Sequence, residues 1–178
     1  MNTSQNGFVI WLTGLPGSGK TTILRILEPK LKGNGYRAEA LDGDEVRTWL
    51  SPGETFTRED RERHLKRVAH VCHLLARNGV VVIAAFVSPY RSSRDYARAI
   101  TLNFVEVYVK APVELCIARD PKGLYKRAKE GKVQNMTGVS DPYEEPIHPE
   151  IVLDTSGCPP ERSGEELLTK LKALGYLS

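Results

Sequence analysis

The feature that most constrains this chain is a glycine-rich loop that joins an apolar run to a helical pattern near the N-terminus. The apolar run, residues 7–13 (GFVIWLT), has the length of a strand, and residues 14–21 (GLPGSGKT) match the pattern GxxxxGK[ST]. Leucine and isoleucine then recur with helical spacing from about residue 19 to 32. A strand, a loop and a helix in this order predict a phosphate-binding loop, in which backbone N–H groups and the helix N-terminus face an anion.

Two side chains of this loop have separate chemical uses. Lys20 is long enough to reach the β- and γ-phosphates of a nucleoside triphosphate, and the hydroxyl group of Thr21 is suited to hold Mg²⁺. The loop therefore predicts that the chain binds a nucleoside triphosphate together with Mg²⁺.

Apolar runs of strand length alternate with helical patterns along the rest of the chain. The further predicted strands are 36–41, 80–86, 104–109 and 150–154, and the further predicted helices are 57–77, 89–101, 112–119 and 160–174, with a short helix or turn at 43–50. This alternation predicts an α/β fold of three layers, with a mostly parallel central sheet and helices on both faces. A chain of 178 residues has the length of a single domain.

One segment, residues 120–149, interrupts the alternation. It holds four of the eleven prolines and three of the fifteen glycines, with many charges and few apolar residues. A segment of this length without strong structure is typically a functional lid or disordered. We therefore expect one domain spanning residues 1–178, with a mobile lid at about 120–149.

Composition and charge exclude several classes of protein. With 40% hydrophobic and 26% charged residues, the chain is neither disordered nor fibrous. A net charge of +3 fits an anionic ligand and is too small to argue for nucleic acid. The three widely spaced cysteines argue against disulfides, no stretch is apolar enough for a membrane span, and the N-terminus lacks the basic start of a signal peptide. We expect a cytoplasmic protein.

An acidic pair follows the second predicted strand. In open α/β sheets, ligands bind beyond the carboxyl ends of the strands, where Asp42 and Asp44 are expected to lie. Two carboxylates there can bind Mg²⁺ or accept the proton of an attacking hydroxyl group, and nearby Arg47 could bind an acceptor anion. The alternative is a solvated turn, because Asp-Gly-Asp also favours turns.

The long predicted helix places a charge among its apolar residues. Its apolar stripe consists of Leu65, Val68, Cys72 and Leu75. Arg61 falls on the same side, so it needs an anionic partner, either a ligand or a carboxylate such as Asp44 or Glu45, unless its stem covers the core edge and its head reaches water. His64 is offset by about 60° and could reach the same pocket.

A polar stretch also follows the third predicted strand, at the same edge of the sheet. Ser88 precedes Pro89, which predicts a helix N-cap, and its hydroxyl group could also contact phosphate. Arg91 and Arg94 add positive charge there.

Together, these motifs resemble the adenylylsulfate (APS) kinase family over nearly the whole chain. The residues that carry the likeness are GLPGSGKTT (14–22), LDGDEVR (41–47), Phe56 with Asp60-Arg61, FVSPYR (86–91), ARDPKGLYKRA (118–128) and TGVSDPYEEP (137–146). The family has a P-loop kinase fold and transfers the γ-phosphoryl group of ATP to the ribose 3′-hydroxyl of APS. The resemblance therefore implies ATP and Mg²⁺ as cofactors and APS as substrate.

The resemblance also assigns site residues. It implies an ATP site made by Gly14, Leu15, Pro16, Gly17, Ser18, Gly19, Lys20, Thr21, Thr22 and Arg119. It implies Mg²⁺ ligands Thr21, Asp42 and Asp44, and catalytic roles for Lys20, Asp42, Asp44 and Ser88. The implied APS contacts are Asp42, Arg47, Phe56 (stacking on adenine), Arg61, His64, Val87, Ser88 and Met136.

The chain departs from the family pattern at several implied APS contacts. Glu45, Ser51 and His64 stand where Asn is expected, Arg63 stands in place of Glu, and Gln134 and Met136 replace a lysine and an aromatic residue. The resemblance further implies a homodimer coupled to ATP sulfurylase, without nucleic-acid or membrane partners.

Two other functions remain open from the residues. One is another small P-loop kinase acting on a nucleoside, a polynucleotide end or a small alcohol. The other is a non-catalytic ATP-binding module that regulates a sulfurylase, against which the presence of Lys20, Thr21, Asp42 and Asp44 argues.

Overall fold

The computed structural model describes residues 6–178 and shows a five-stranded parallel sheet. The strands are β1 (Phe8–Thr13), β2 (Ala38–Asp42), β3 (Val81–Ala85), β4 (Phe104–Lys110) and β5 (Ile151–Asp154), in the spatial order β2-β3-β1-β4-β5. The first strand is the middle strand of the sheet, and all six of its residues are buried. A central strand covered by helices on both faces needs such a continuous apolar sequence. The predicted parallel α/β sheet is confirmed.

Helices fill the connections between the strands. They are α1 (Lys20–Gly33), α2 (Gly43–Leu50), α3 (Arg58–Arg77), α4 (Arg91–Ile100), α5 (Val113–Arg119), α6 (Leu124–Lys129) and α7 (Pro160–Ala173). Helices α1 and α7 pack together on one face of the sheet, and α3 and α4 pack together on the other. Within the described residues, no helix combines the length and apolar character that crossing a membrane requires.

The alternation of side chains along β1 divides the core into two clusters. Ile10 and Leu12 face α1 and α7, whereas Val9 and Trp11 face the α3 side. Burial of these side chains on both faces holds β1 in the middle of the molecule. As a result, its carboxyl end delivers the glycine-rich loop to the centre of the sheet edge.

Three strands end beside one another at that edge. β1 ends at Thr13, β2 ends at Asp42, and β3 ends at Ala85, with Asp42 paired in register with Ala85. All are parallel, so the segments that follow them open on one side of the sheet. The glycine-rich loop, the acidic pair and the 86–90 segment are therefore neighbours, as predicted.

Two local features differ from what the sequence indicated. The segment 120–149 contains helix α6 and a bridge between Thr137 and Asp141, although its composition gave no helical signal. Ser88 is not an N-cap: α4 begins at Arg91, and Tyr90, which stands in the N-cap position, makes no side-chain cap hydrogen bond. The prediction that the N-terminus is not a signal peptide concerns in part residues 1–5, which lie outside the described residues.

Candidate active site

The glycine-rich loop curls tightly because its backbone adopts conformations reserved for glycine. Gly14 approaches β4 so closely that a Cβ atom would lie 2.4 Å from the carbonyl oxygen of Val109. Gly19 caps α1 with a φ of 105°, a value that other residues rarely adopt. Together they turn the chain so that α1 starts directly beneath the loop, which leaves its first N–H groups free for an anion.

Lys20 is folded back against its own loop. Its Nζ donates to the carbonyl oxygens of Gly14 at 2.9 Å and Leu15 at 2.7 Å. The side chain is buried, and this desolvation lowers the pKa of Lys20 to about 7. A phosphate group in the loop would offer the ammonium group a charged partner in place of two neutral carbonyls.

Thr21 and the acidic pair are in direct contact. Thr21 Oγ1 donates to Asp42 Oδ2 at 2.8 Å, and the backbone N–H of Asp44 donates to Asp42 Oδ1 at 3.1 Å. The second bond makes Asp42 the N-cap of α2, so the solvated-turn alternative does not describe this residue. The contact also joins the end of β2 to the start of α1.

This oxygen-rich group fits Mg²⁺ carried in by a nucleotide. Mg²⁺ in kinase sites is commonly bound by one or two carboxylates, water and phosphate oxygens. The described residues contain no cluster of three or more His, Cys, Asp and Glu side chains able to hold a metal ion. Phosphate oxygens would therefore have to complete a coordination shell that Thr21, Asp42 and Asp44 begin.

The second carboxylate reaches across the mouth of the site. Asp44 is 70% exposed, and its side chain pairs with Lys122, which precedes α6. Through this pair, residues 120–149 touch the acidic loop on the opposite side of the cleft.

Three side chains that line the cleft form a stack. The guanidinium groups of Arg47 and Arg61 lie 4.6 Å and 5.1 Å from the ring centroid of Phe56. Phe56 is 48% exposed, so its ring remains available to a ligand. Burial lowers the pKa of both arginines, yet each stays cationic at neutral pH.

Arg61 has no carboxylate partner in the part of the chain that the structure describes. Its Nε donates to the carbonyl oxygen of Phe56 at 2.9 Å, and its Nη2 donates to the carbonyl oxygen of Asn135 at 2.8 Å. The alternative in which Arg61 pairs with Asp44 or Glu45 is therefore wrong. The half-buried guanidinium has only neutral acceptors, which leaves its charge available to an anion.

His64 is 3% exposed, and its ring lies 5.8 Å from that of Phe86, centroid to centroid. Its Nδ1 shares a hydrogen bond of 2.8 Å with Ser51 Oγ, which also accepts from Arg67 Nη1 at 2.9 Å. Its Nε2 is buried without a partner. Burial, reinforced by the positive charge of Arg47, lowers the pKa of His64 to about 4, so the ring is neutral. Two positions that depart from the family pattern, Ser51 and His64, thus contact each other.

The segment after β3 forms another wall. Val87 and Ser88 line the cleft, and Ser88 has a φ of 39° in the left-handed region. Its Oγ accepts a hydrogen bond of 3.1 Å from Trp11 Nε1, so the hydroxyl group is held from the core side. Thr13 Oγ1 donates to the carbonyl oxygen of Val87 at 2.9 Å.

Two contacts support the loop from the nucleotide side. Tyr125 of α6 donates to the carbonyl oxygen of Pro16 at 2.9 Å, and Thr155 donates to the carbonyl oxygen of Ser18 at 2.9 Å. Arg119 Nη2 in turn donates to the carbonyl oxygen of Thr155 at 2.6 Å. Sequence reasoning missed the roles of Tyr125 and Thr155, because both act on backbone atoms that are distant along the chain.

One cleft of about 1330 Å³ unites these groups. The predicted site residues all line it except Gly14, Leu15 and Ser18, which belong to the loop but do not face the cleft. Met136 lines it too, but is only 5% exposed and packs with Cys116 and Tyr125. The arrangement can hold a polyphosphate at the loop and an anionic, ring-containing molecule at the stack, with Asp42 between them.

Comparisons with known proteins identify one family. The family model for adenylylsulphate kinase matches residues 6–154. A probable adenylyl-sulfate kinase of Aeropyrum pernix is 53% identical, with 96% of this chain and 95% of that protein covered. An adenylyl-sulfate kinase of Rippkaea orientalis is 50% identical, with 98% and 96% covered. The structure of Mycobacterium tuberculosis APS kinase CysC in complex with AMPPNP and APS matches with a TM-score of 0.91 at 35% identity, covering 94% of this chain and 99% of that one.

Proposed function

The chain belongs to the adenylylsulfate kinase family, and we propose that it transfers the γ-phosphoryl group of ATP to the ribose 3′-hydroxyl of APS. The products are 3′-phosphoadenylyl sulfate and ADP. The observation that carries the proposal is the contact between Thr21 and Asp42, which joins the phosphate loop to the sheet edge that leads into residues 87–88. We call residues 87–88 the acceptor wall. The solved relative bound to AMPPNP and APS supports the choice of both substrates.

The phosphate loop would bind ATP through backbone N–H groups at the start of α1. Lys20 would leave the carbonyl oxygens of Gly14 and Leu15 and bind the β- and γ-phosphates, where its charge stabilises the transferring group. When bound, Mg²⁺ would neutralise part of the phosphate charge. The residues placed to hold it are Thr21, Asp42 and Asp44. Arg119 and Thr155 would border the nucleotide behind the loop.

The stack of Arg47, Phe56 and Arg61 suits the acceptor. APS carries a flat adenine ring and an anionic phosphosulfate group, so it needs both an aromatic face and positive charge. Phe56 offers an exposed ring face, and Arg61 offers a guanidinium group whose present acceptors are uncharged. An anion would replace those carbonyls because a charge-assisted hydrogen bond is stronger than a neutral one. His64, Val87, Ser88 and Met136 would complete the pocket.

Asp42 is the residue best placed to accept the proton of the 3′-hydroxyl group. One of its oxygens faces Thr21, and its backbone is paired with the end of β3, which leads into the 87–88 wall. A hydroxyl group between Asp42 and the γ-phosphate would lose its proton as the new P–O bond forms. Asp44 is more exposed and pairs with Lys122, which favours a part in metal binding and closure.

The segment 120–149 would serve as a lid within one domain. It reaches the phosphate loop through Tyr125, the acidic loop through Lys122, and α3 through Asn135. These contacts surround the cleft, so closing it would exclude water from the reacting phosphoryl group. We also propose that the protein acts in the cytoplasm as a homodimer, and that it is functionally coupled to ATP sulfurylase. Sedimentation at several protein concentrations would test whether it forms a dimer.

An ADP-release assay with a panel of acceptors separates this function from the alternatives. We expect slow ADP release with ATP and Mg²⁺ alone and a strong acceleration by APS. A nucleoside, an oligonucleotide 5′ end and a small alcohol should give little or no acceleration. Faster release with any of these would identify a different small-molecule kinase, and ATP binding without release under every condition would identify a non-catalytic module.

A further inference from the structure

A buried arginine lies beneath the acceptor wall. Arg94 of α4 is 2% exposed, so its charge requires partners inside the protein. Its Nε donates to Glu106 Oε1 at 2.7 Å, its Nη1 donates to the carbonyl oxygen of Ser88 at 2.6 Å, and its Nη2 donates to the carbonyl oxygen of Glu144 at 2.6 Å. One planar group thus joins β4, the end of the acceptor wall and the far end of the 120–149 segment.

The backbone that Arg94 holds is strained. Ser88 has a φ of 39°, a conformation that residues other than glycine avoid. Such a conformation persists only where surrounding contacts impose it. Trp11 Nε1 holds the Ser88 hydroxyl group and Arg94 Nη1 holds the Ser88 carbonyl oxygen, so the residue is fixed from two sides.

The same arginine fixes residues 143–145, which we call the strap. The backbone N–H of Glu144 donates to the carbonyl oxygen of Pro89 at 2.8 Å, and the backbone N–H of Arg91 donates to Glu144 Oε2 at 2.8 Å. Tyr143 Oη shares a hydrogen bond of 2.9 Å with Thr13 Oγ1. The strap and the wall are therefore joined directly, and Arg94 is bonded to both.

We propose that Arg94 is a positioning residue for phosphoryl transfer, which acts through the carbonyl oxygens of Ser88 and Glu144 to hold the 87–88 wall against the acceptor. The proposal rests on the proposed function, because that function assigns the wall to the acceptor. A lysine could satisfy Glu106 but could not reach two carbonyl oxygens in fixed directions, since only the guanidinium fork presents several donors in one plane. Charge compensation alone therefore does not explain an arginine at this position.

Arg94→Lys tests the proposal, with Arg98→Lys as the matched control. Arg98 lies one turn later in α4 and also pairs with Glu106, but its other partners are Glu150 and the ring of Phe104, which do not belong to the wall. We expect Arg94→Lys to raise the KM for APS about tenfold, the loss of one charge-assisted hydrogen bond, with the KM for ATP changed by less than about twofold. The control should leave both constants near wild type. An equal rise in both constants in Arg94→Lys, or none, would overturn the proposal.

A second readout needs no substrate. Trp11 is bonded to Ser88, and the other tryptophan, Trp49, is 54% exposed, so Trp49→Phe leaves Trp11 as the single indole emitter. In that background, Arg94→Lys should change the Trp11 emission and Arg98→Lys should not. An unchanged spectrum in Arg94→Lys refutes the positioning of Ser88. If APS did not accelerate ADP release by the wild-type protein, the proposed function would be wrong. The Trp11 emission would still decide whether Arg94 positions Ser88.

A double variant without the two buried charges controls for a loss of folding in the single variant. Arg94→Gln combined with Glu106→Gln removes both charges, so neither partner is left buried and uncompensated. We expect this double variant to recover folding but to keep the raised KM for APS. Full recovery of the KM would show that Arg94 only neutralises Glu106, and the proposal would be wrong.

Discussion

At the scale of single residues, two cationic groups of the site, Lys20 and Arg61, are hydrogen-bonded to neutral partners in the free protein. Lys20 is bonded to carbonyl oxygens of its own loop, and Arg61 to those of Phe56 and Asn135. These bonds hold the side chains near their places of action without neutralising them. Binding of an anion therefore exchanges weaker hydrogen bonds for charge-assisted ones.

Arg61→Ala should raise the KM for APS strongly while leaving the KM for ATP nearly unchanged. The variant removes a cation that the anionic acceptor would pair with, and it breaks no ion pair within the described chain. Arg61→Lys should recover little, because one ammonium group cannot reproduce the planar fork. Steady-state kinetics with each substrate varied would measure this, with the exposed Arg77→Ala of the same helix as control. A parallel loss for both substrates would assign Arg61 a structural role instead.

Lys20 should couple ATP binding to proton uptake. Burial lowers its pKa in the free protein to about 7, and the bound phosphates stabilise the charged form, which raises the pKa. The complex then holds more protons than the free protein above pH 7, so ATP affinity should fall as the pH rises from about 7 towards 9. Calorimetric titration in buffers of different ionisation enthalpy would count the protons.

The matched variants for this measurement are Lys20→Ala and Lys30→Ala. Lys30 lies in the same helix and pairs with Glu165 at the surface. Proton uptake should disappear in Lys20→Ala and persist in Lys30→Ala. Uptake that survives in Lys20→Ala would mean that another group titrates.

His64 should make the fold sensitive to acid. Its pKa of about 4 lies below the unfolded value of 6.5, so the folded protein binds fewer protons between these pH values and loses stability as the pH falls through them. At pH 5, this ring alone should lower the free energy of unfolding by about 2 kcal/mol. His64→Asn, which keeps a polar partner for Ser51, should unfold in urea with a weaker pH dependence. The exposed His70→Asn should behave as wild type, and an equal change in both variants would contradict the account.

At the scale of elements, those stabilised by local sequence could be predicted, and those stabilised by contacts distant along the chain could not. Strand β1 and the loop after it were predictable because an apolar run and glycines act locally. Helix α6 was not, because it depends on contacts distant in sequence: Tyr125 is 1% exposed and bonds Pro16. The N-cap predicted at Ser88 failed for a similar reason, since Trp11 and Arg94 hold that residue in a left-handed conformation.

Trypsin should cut the free protein first near the exposed residues Lys129, at the end of α6, and Lys132, just after it. An ATP analogue with APS should slow this cleavage by closing the cleft. Tyr125→Phe removes only the hydroxyl group that bonds Pro16, so it should speed cleavage of the free protein. Tyr36→Phe, whose hydroxyl group bonds Ser178 far from the cleft, is the control. If neither ligand changed the rate of cleavage, the segment would be a fixed surface loop and not a lid.

At the scale of the whole molecule, the sheet order explains why the predicted site residues meet. Three parallel strands end side by side, so the phosphate loop, the acidic pair and the acceptor wall share one edge. Sequence motifs could predict these three parts separately. The clasp formed by Lys122 and Asp44, and the support of the wall by Arg94, could not be predicted, because each joins residues that only the fold brings together.

The most direct test of the account follows the γ-phosphoryl group itself. Protein, Mg²⁺ and ATP labelled at the γ-phosphorus would be incubated with APS or with its 3′-deoxy analogue, and the nucleotides would be separated. The account predicts label in 3′-phosphoadenylyl sulfate from APS and none in any product of the analogue, which lacks the accepting hydroxyl group. Label transferred to the 3′-deoxy analogue, or no transfer to APS while another acceptor is labelled, would contradict it.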